Sequence, residues 1–479
     1  MNILLLLIGL PTIGSLFILG SNVSLPKAKI IGLNVSLITF LLSLSLWVFF
    51  DKAYPYYQFV ALDGYLGIDG ISIFFIILTT FLIPLCLLIG WNLEKLPKEY
   101  IIAFLILESC LIAVFSVLDL LIFYIFFESV LIPMFLIIGI WGSRERKIQA
   151  AYQFFLYTLL GSILMLIGIL IIYFELGTTD IEVLTELLPK ERSSKQIFLW
   201  LTFFASFAIK IPMIPFHIWL PEAHVEAPTG GSVILAGLLL KLGTYGFLRF
   251  SIPMFPYASI YFTPLIYTLS VIGIIYTSLT TLRQIDLKKI IAYSSIGHMN
   301  YVTLGLFSFN IQGLHGGLLL MLSHGIVSSA LFLCIGMLYE RTHTRLLKYY
   351  GGITQRMPLF AIIFLFFILA NISVPGTSSF VGEFLILTSV GASNFIIAGL
   401  AALSVILGAA YSIWLYNRVC FGPSSKFLPI DPVLLPDLSR REVFILIPLV
   451  FTTLYMGVSP NNFIDVIHYS LAKIVGGSL

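Results

Sequence analysis

Six ionisable side chains stand in runs that are otherwise apolar: Glu128, Lys210, Lys241, His298, His324 and Glu383. A charge stranded in lipid costs about 2.5–3.5 kcal/mol on insertion scales, so residues of this kind mark ion paths, proton relays or counter-ions. Glutamate, lysine and histidine all exchange protons, and histidine titrates near neutral pH. The chemistry open to such a set is proton transfer along a buried path.

Each of the six has a local setting that bears on that chemistry. Lys210 lies between Ile209 and Ile211, and Pro212 and Pro215 follow; each proline removes a backbone donor, so a broken helix is expected there. A lysine facing Glu128 gains or loses its proton when that partner moves, the alternative being a static pair that only cancels two charges. Lys241 interrupts a run of leucines, and Gly237, Gly243 and Gly246 leave room for water; snorkelling to a surface is the alternative. His298 follows Ser294, Ser295 and Gly297, and His324 follows Ser323, small polar surroundings that suit a hydrated path as well as a hydrogen-bonded core histidine. Glu383 comes after Pro375-Gly376 in an apolar segment, 358–390, that as one helix would be about 50 Å long at 1.5 Å per residue. That exceeds the ~30 Å hydrocarbon core. An interruption at Pro375-Gly376 resolves the excess and sets free backbone groups beside a carboxylate, as in transporter ion sites, or leaves the carboxylate to cap a broken helix.

Glu108 and His217 are secondary candidates: Glu108 is midway along an apolar run, and His217 lies two helical turns after Lys210 on the same face if that helix continues. Glu222, His224 and Glu226, in the loop Pro221 to Pro228, lack a fourth partner for zinc and read as interfacial polar residues, so no metal site is expected.

The elements that carry these residues must be membrane spans. Of 479 residues, 59% are hydrophobic and 10% charged, against about 25% charged in soluble domains. At about 20 apolar residues per crossing, the pattern predicts an all-α membrane protein of fourteen helices, at 2–20, 29–50, 68–91, 100–116, 118–139, 149–174, 197–220, 230–250, 259–282, 287–306, 313–339, 358–390, 393–421 and 441–457. Interruptions are expected in the seventh and twelfth. Two proline-broken spans five apart suggest two inverted five-helix repeats, because an odd number of spans flips the second copy. The resulting division is an N-terminal three-helix segment (1–98), a first repeat (99–250), a second (258–421) and a C-terminal helix with its tail (441–479).

An even count puts both termini on one side. Of the 26 Lys and Arg, eighteen gather in or beside alternate loops (among them Lys95, Arg144, Lys147, Arg283, Lys289, Arg341, Arg345 and Lys426), against six on the other side (Lys52, Lys190, Arg192, Lys195, Arg249 and Lys473). By the positive-inside rule both termini then face outward. The start of the chain lacks a basic region and a cleavage site, so it reads as the first span and not as a signal. The longest polar stretch, 175–196, has room for at most a short amphipathic helix.

The formal charge of +3, scattered along the chain, gives no footprint for nucleic acid. Cys86, Cys110, Cys334 and Cys420 are more than twenty residues apart and read as packing residues, without the close spacing of zinc or iron–sulfur ligands. There is no G-x-G-x-x-G and no G-x-x-x-x-G-K-[ST], so no nucleotide or flavin cofactor is expected in this chain.

The segment IKIPMIPFHIWLPEAHVEAPTGGSVILAGLLLKLGTYGFLRF, with FFESVLIPMFLIIGIWG around Glu128, DLKKIIAYSSIGH ending at His298, HGIVSSALFLCIGMLYERTHTR starting at His324 and PGTSSFVGEFL around Glu383, resembles the antiporter-like membrane subunits of respiratory complex I (NADH:ubiquinone oxidoreductase) over nearly the whole chain. The resemblance implies fourteen helices with two inverted repeats and a hydrated charged axis at mid-membrane. In it Glu128 and Lys210 form an interacting pair, Lys241 is the central relay, His298 and His324 carry the path on, and Glu383 replaces the lysine of some sister subunits. It also implies a mitochondrial inner-membrane location, neighbouring membrane-arm subunits and lipids as partners, and FMN, iron–sulfur clusters, NADH and ubiquinone bound elsewhere in the complex. Subunits of multi-chain sodium/proton antiporters and of the plastid relative share the architecture, and a purely structural spacer with static buried charges is the alternative of another kind.

Overall fold

The computed structural model describes residues 3–21, 23–54, 56–423 and 436–478; residue 2 and Lys426, used in the span and charge assignments above, lie outside them. The chain opens with α1 (Ile3–Gly20) and α2 (Leu25–Phe49), turns through an antiparallel pair, β1 (Gln58–Ala61) and β2 (Leu66–Ile68), and continues as α3 (Ser72–Ile89) and α4 (Pro97–Ser116). Next come α5 (Leu120–Ser129), α6 (Leu131–Trp141), α7 (Lys147–Leu176), the short α8 (Ile181–Leu187), α9 (Ser193–Lys210) and α10 (Trp219–Glu226). One interrupted rod follows, in which α11 (Thr229–Ile234), α12 (Leu240–Gly246) and α13 (Ile252–Met254) are joined by π-helical turns at Leu235–Leu239 and Phe247–Ser251. Then come α14 (Pro256–Tyr261), α15 (Thr263–Leu282), α16 (Leu287–Leu306), α17 (Ile311–Thr342), α18 (Pro358–Asn371), α19 (Ser378–Ser393), α20 (Phe395–Cys420), α21 (Arg440–Val458) and α22 (Asn461–Ser478).

Among the described residues, eleven helices are long and apolar enough to cross a membrane, and α18 and α19 are shorter apolar pieces. The α11–α13 rod and α17 are buried throughout their apolar windows, whereas α1, α2 and α20 are mostly uncovered and turn Ile13, Leu41 and Ile406 outward. In lipid every backbone group must find its partner inside the element, and helices alone achieve this without closing a barrel. The buried rod and α17 touch at small residues: a Cβ on Gly237 would stand 2.6 Å from Leu82 and 2.8 Å from the Ser329 hydroxyl. Close approach of this kind replaces the hydrophobic drive that helices lack within lipid.

The sequence pattern places most boundaries within a few residues and misses several features. Interruptions occur where proline and glycine predict them: α9 stops at Lys210 and the chain resumes as α10 at Trp219, while α18 and α19 flank a turn over 372–377 in which Gly376 has φ 93°. The 221–228 stretch, expected as a loop, is mostly the helix α10, because Pro221 occupies a first-turn position where its missing N–H has no partner to lose. The 118–139 span is divided at Val130, and the tail beyond 457 is helical as α22.

Five of the basic residues that sequence assigns to one side tie helix ends and loops together. The Lys95 and Lys147 ammonium groups donate to the Ile140 carbonyl (3.0 and 2.9 Å), Arg144 pairs with Asp286 (3.5 Å), Lys289 with Glu222 (2.7 Å), and Arg341 with Glu442 (2.7 Å). A cavity of about 340 Å³ gathers Tyr57, Glu182, Arg249 and Lys473 from loops and helices far apart in sequence.

Candidate functional site

Four of the six expected residues form one contiguous series. Glu383 lies in the second turn of α19, just beyond the 372–377 interruption, and its carboxylate is 3.0 Å from Nδ1 of His298 on α16. The His298 and His324 rings are 5.7 Å apart between centroids. The Nδ1 of His324, on α17, is 2.7 Å from the Lys241 ammonium, which donates in turn to the Ala236 carbonyl at 2.5 Å. Lys241 and His324 are buried, and Glu383 is 7% exposed.

Local backbone irregularity positions these groups. In the π-turn before Lys241 the Leu240 N–H bonds the Leu235 carbonyl five residues back, which widens the helix and leaves the Ala236 carbonyl within reach of the ammonium. Single-turn π-bulges concentrate at functional sites for this reason. Small hydroxyls continue the polar lining: Ser323 bonds Ser378 and Ser379 of α19 (2.9 and 2.7 Å). Beside His298 and Glu383 a cavity of about 20 Å³ is lined by Ser294, Tyr301, Asn371, Ser404 and Tyr411, enough space for one water among polar partners.

Glu128 and Lys210 make a second group. Lys210, the last residue of α9, is 3% exposed; its ammonium donates to the Phe127 carbonyl (3.2 Å) and sits 3.8 Å above the Phe127 ring. Glu128 is half-buried beside Ser162 of α7 and near enough to Lys210 for their charges to interact, without a direct hydrogen bond between them among the described residues. The chain turns at Ile211, and Nε1 of Trp219 caps the freed Ile209 carbonyl (2.9 Å). His217 is therefore not on a continued helical face with Lys210: it lies in the turn, its ring edge-on to Tyr276 and Tyr293 (5.9 and 6.4 Å). The two groups are joined by packing of α9 on α12, where the Phe207 carbonyl nears Gly243, and no hydrogen bond among the described residues links Lys210 to Lys241. Glu108 is fully buried on α4, accepting from the Thr39 hydroxyl at 2.7 Å, with its other oxygen unpartnered.

The structure also gathers residues that sequence reasoning placed at the surface. His224 and Glu226 are buried, not interfacial: His224 stacks on Phe332 (4.5 Å), and neither of its ring nitrogens has a partner. Lys288 is buried at the start of α16 and donates to the Ala227 carbonyl (2.8 Å) and the Ser232 hydroxyl (3.3 Å). Only Glu222 of that trio remains outside, paired with Lys289. Part of the signal was present: His224 falls one turn after Pro221 once the stretch is read as helical, whereas Glu226, two residues further on, is on a different face and is buried by the surrounding helices. Asp69 and Arg249 form a buried ion pair (2.5 Å) that no periodicity pointed to, since 180 residues separate them.

A charged series held on discontinuous helices inside an apolar bundle is the architecture of ion-translocating membrane proteins. Residues 117–408 match the family described as NADH:quinone oxidoreductase/Mrp antiporter, transmembrane, and the chain belongs to that family. It is 62% identical over 482 residues, 98% of its own length and 96% of the other's, to NADH-ubiquinone oxidoreductase chain 4 of Marchantia polymorpha, and 62% identical to the chain 4 of Arabidopsis thaliana, with 97% and 95% covered. Among solved structures, a chain of respiratory complex I from Thermus thermophilus superposes over the full length of both chains with a TM-score of 0.88 at 30% identity. The chain is thus an antiporter-like membrane subunit of complex I, assembled with the other subunits of that complex.

Proposed function

We propose that the chain conducts protons along a mid-membrane axis made of Glu128, Lys210, Lys241, His324, His298 and Glu383, driven by redox chemistry in partner subunits. The observation that carries this reading is the series from Glu383 through His298 and His324 to Lys241, two hydrogen-bond contacts joined by a ring contact between the histidines. Lys241 and His324 Nδ1 exchange a proton over 2.7 Å, and the ring contact with His298 and the 3.0 Å contact link that pair to Glu383. Lys210 and Glu128 feed the axis: a shift of charge at Glu128 alters how firmly Lys210 holds its proton, and the field acts on Lys241 across the α9–α12 contact. Glu108 and His217 are auxiliary groups. The chain itself contributes no redox centre: NADH, FMN, the iron–sulfur clusters and ubiquinone are bound elsewhere in an H+-translocating NADH:ubiquinone reductase. The fourteen-span count, with inverted repeats over 99–250 and 258–421 between the 1–98 segment and the 441–479 tail, belongs to the same proposal and is supported by the two interrupted pairs, α9/α10 and α18/α19. So does a location in the mitochondrial inner membrane with both termini toward the intermembrane space.

The test is Lys241→Ala in intact complex reconstituted into liposomes. NADH-driven proton uptake is expected to fall by roughly tenfold or more, in the range that losing a proton-transfer group costs, while the complex still assembles. Pumping at the unmodified rate would leave the charges as static pairs and the chain as a spacer.

A further inference from the structure

The axis lies at mid-membrane, and protons need an outlet from it; a second group of polar side chains begins one helical turn beyond Lys241 and extends toward the end of the bundle poor in Lys and Arg. One turn beyond Lys241 on α12 stands Tyr245, whose hydroxyl is 3.3 Å from that of Ser72 at the start of α3. The Ser72 backbone N–H donates to Asp69 (2.9 Å), and the other Asp69 oxygen accepts from Arg249 in the second π-turn of the rod (2.5 Å). All four side chains are at least nine-tenths buried. Asp69 and Arg249 form the floor of the 340 Å³ cavity, whose rim carries Glu182, Lys473 and the Tyr57 ring 4.8 Å from the guanidinium. Nε of Arg249 is buried without a partner.

Around Tyr245 the lining is apolar. The rings of Phe75, Phe115 and Phe123 pack on it at 5.9, 5.1 and 6.4 Å, all three fully buried. Such a collar excludes water and ions and leaves one hydroxyl through it, the arrangement a proton passes and a cation does not. Below the collar α22 packs on the pair: Ser470 accepts from the Gly70 N–H (3.0 Å), and a Cβ on Gly70 would strike the Val466 carbonyl.

We propose that the Asp69–Arg249 ion pair is the outer gate of a proton-release route from Lys241 through Tyr245 and Ser72 to this cavity. The inference rests on the proton-path reading above. In the release step the Lys241 stem swings from Ala236 and His324 toward Tyr245 and gives up a proton, becoming a neutral amine. Tyr245 takes that proton as its own O–H proton moves to the Ser72 oxygen; the Ser72 side chain, whose backbone N–H already binds Asp69, then turns to that carboxylate and hands its hydroxyl proton on. Neutralised Asp69 no longer holds Arg249, which stays protonated; the cavity opens, its water takes the proton, and the pair re-forms. Tyr245 and Ser72 end in the state in which they began.

The experiment uses intact complex I in liposomes and reads protons pumped per NADH oxidised. In a Thr185→Cys variant, whose side chain lines the cavity, methanethiosulfonate modification of the detergent-solubilised complex before reconstitution is expected to lower pumping by about half or more and a membrane-permeant thiol reductant to restore it, a reversible block that a structural role for Asp69 would not produce. Tyr245→Phe, which keeps the ring and removes only the hydroxyl, is expected to lower it to a similar extent. Normal pumping in the modified Thr185→Cys complex, or in an assembled Tyr245→Phe complex, overturns the gate. If Lys241→Ala still abolishes pumping in the same assay, the axis survives and only the outlet is wrong; if Lys241→Ala pumps normally, the axis itself fails.

Discussion

The buried atoms left without partners say the most about individual residues. Nε2 of His298 and of His324 and one oxygen of Glu128 are buried with no hydrogen bond from the protein. An unsatisfied buried polar group costs about 1–3 kcal/mol, and a purely structural charge pair would have its lone pairs and protons filled. A relay group needs a free site to receive the next proton, and no protein group fills that site on either histidine. If Glu383 and His298 act as one unit across their 3.0 Å contact, their losses will not add. His298→Gln and Glu383→Gln are each expected to reduce proton pumping severalfold, and the double variant to pump no more slowly than the worse single one; multiplied losses in that double-mutant cycle would show two independent sites. The candidates themselves were legible in sequence, because an acid or base in an apolar run is conspicuous. Their pairing was not: 85 residues separate His298 from Glu383 and 83 separate Lys241 from His324, and such contacts depend on how helices cross.

Among the elements, legibility followed proline and glycine. The breaks at Pro212 and at Pro375-Gly376 were readable because a missing donor and a left-handed φ have local causes. The π-turns at Leu235–Leu239 and Phe247–Ser251 contain no proline and were invisible; they place Lys241 and Arg249 inside a rod that looks regular in sequence. That rod sits where it does because α9 crosses it at Gly243, where a Cβ would lie 2.6 Å from Ile211 and 2.8 Å from the Phe207 carbonyl. The obstruction includes backbone, which cannot rotate away. Gly243→Val is therefore expected to cost at least the 1–3 kcal/mol typical of overpacking, about the upper end or beyond, and to cut the amount of assembled complex seen on native gels. Wild-type assembly of that variant would mean that α9 and α12 are free to separate, and the coupling of Lys210 to Lys241 would lose its scaffold.

For the whole molecule, the distribution of charge between the two ends decides the direction of transport. One end is laced by Lys95, Arg144, Lys147, Lys289 and Arg341 through carbonyls and carboxylates; the other holds Lys473 in the cavity lining and Lys195 paired with Glu175. Alternate loops are sortable into two ends from sequence because each apolar run reverses the chain. The hairpin β1–β2 and the helical tail α22 were missed because both are short or amphipathic and lie outside the 20-residue apolar pattern. Basic residues resist translocation during insertion, so the laced end should remain in the matrix and the cavity should open to the intermembrane space. Exposed single cysteines separate the possibilities: with intact mitoplasts and an impermeant maleimide, Lys190→Cys is expected to label at once and Arg283→Cys only after permeabilisation. The opposite pattern would invert the chain, turn the Asp69–Arg249 cavity into an inlet, and reverse the direction in which Lys241 must deliver its proton.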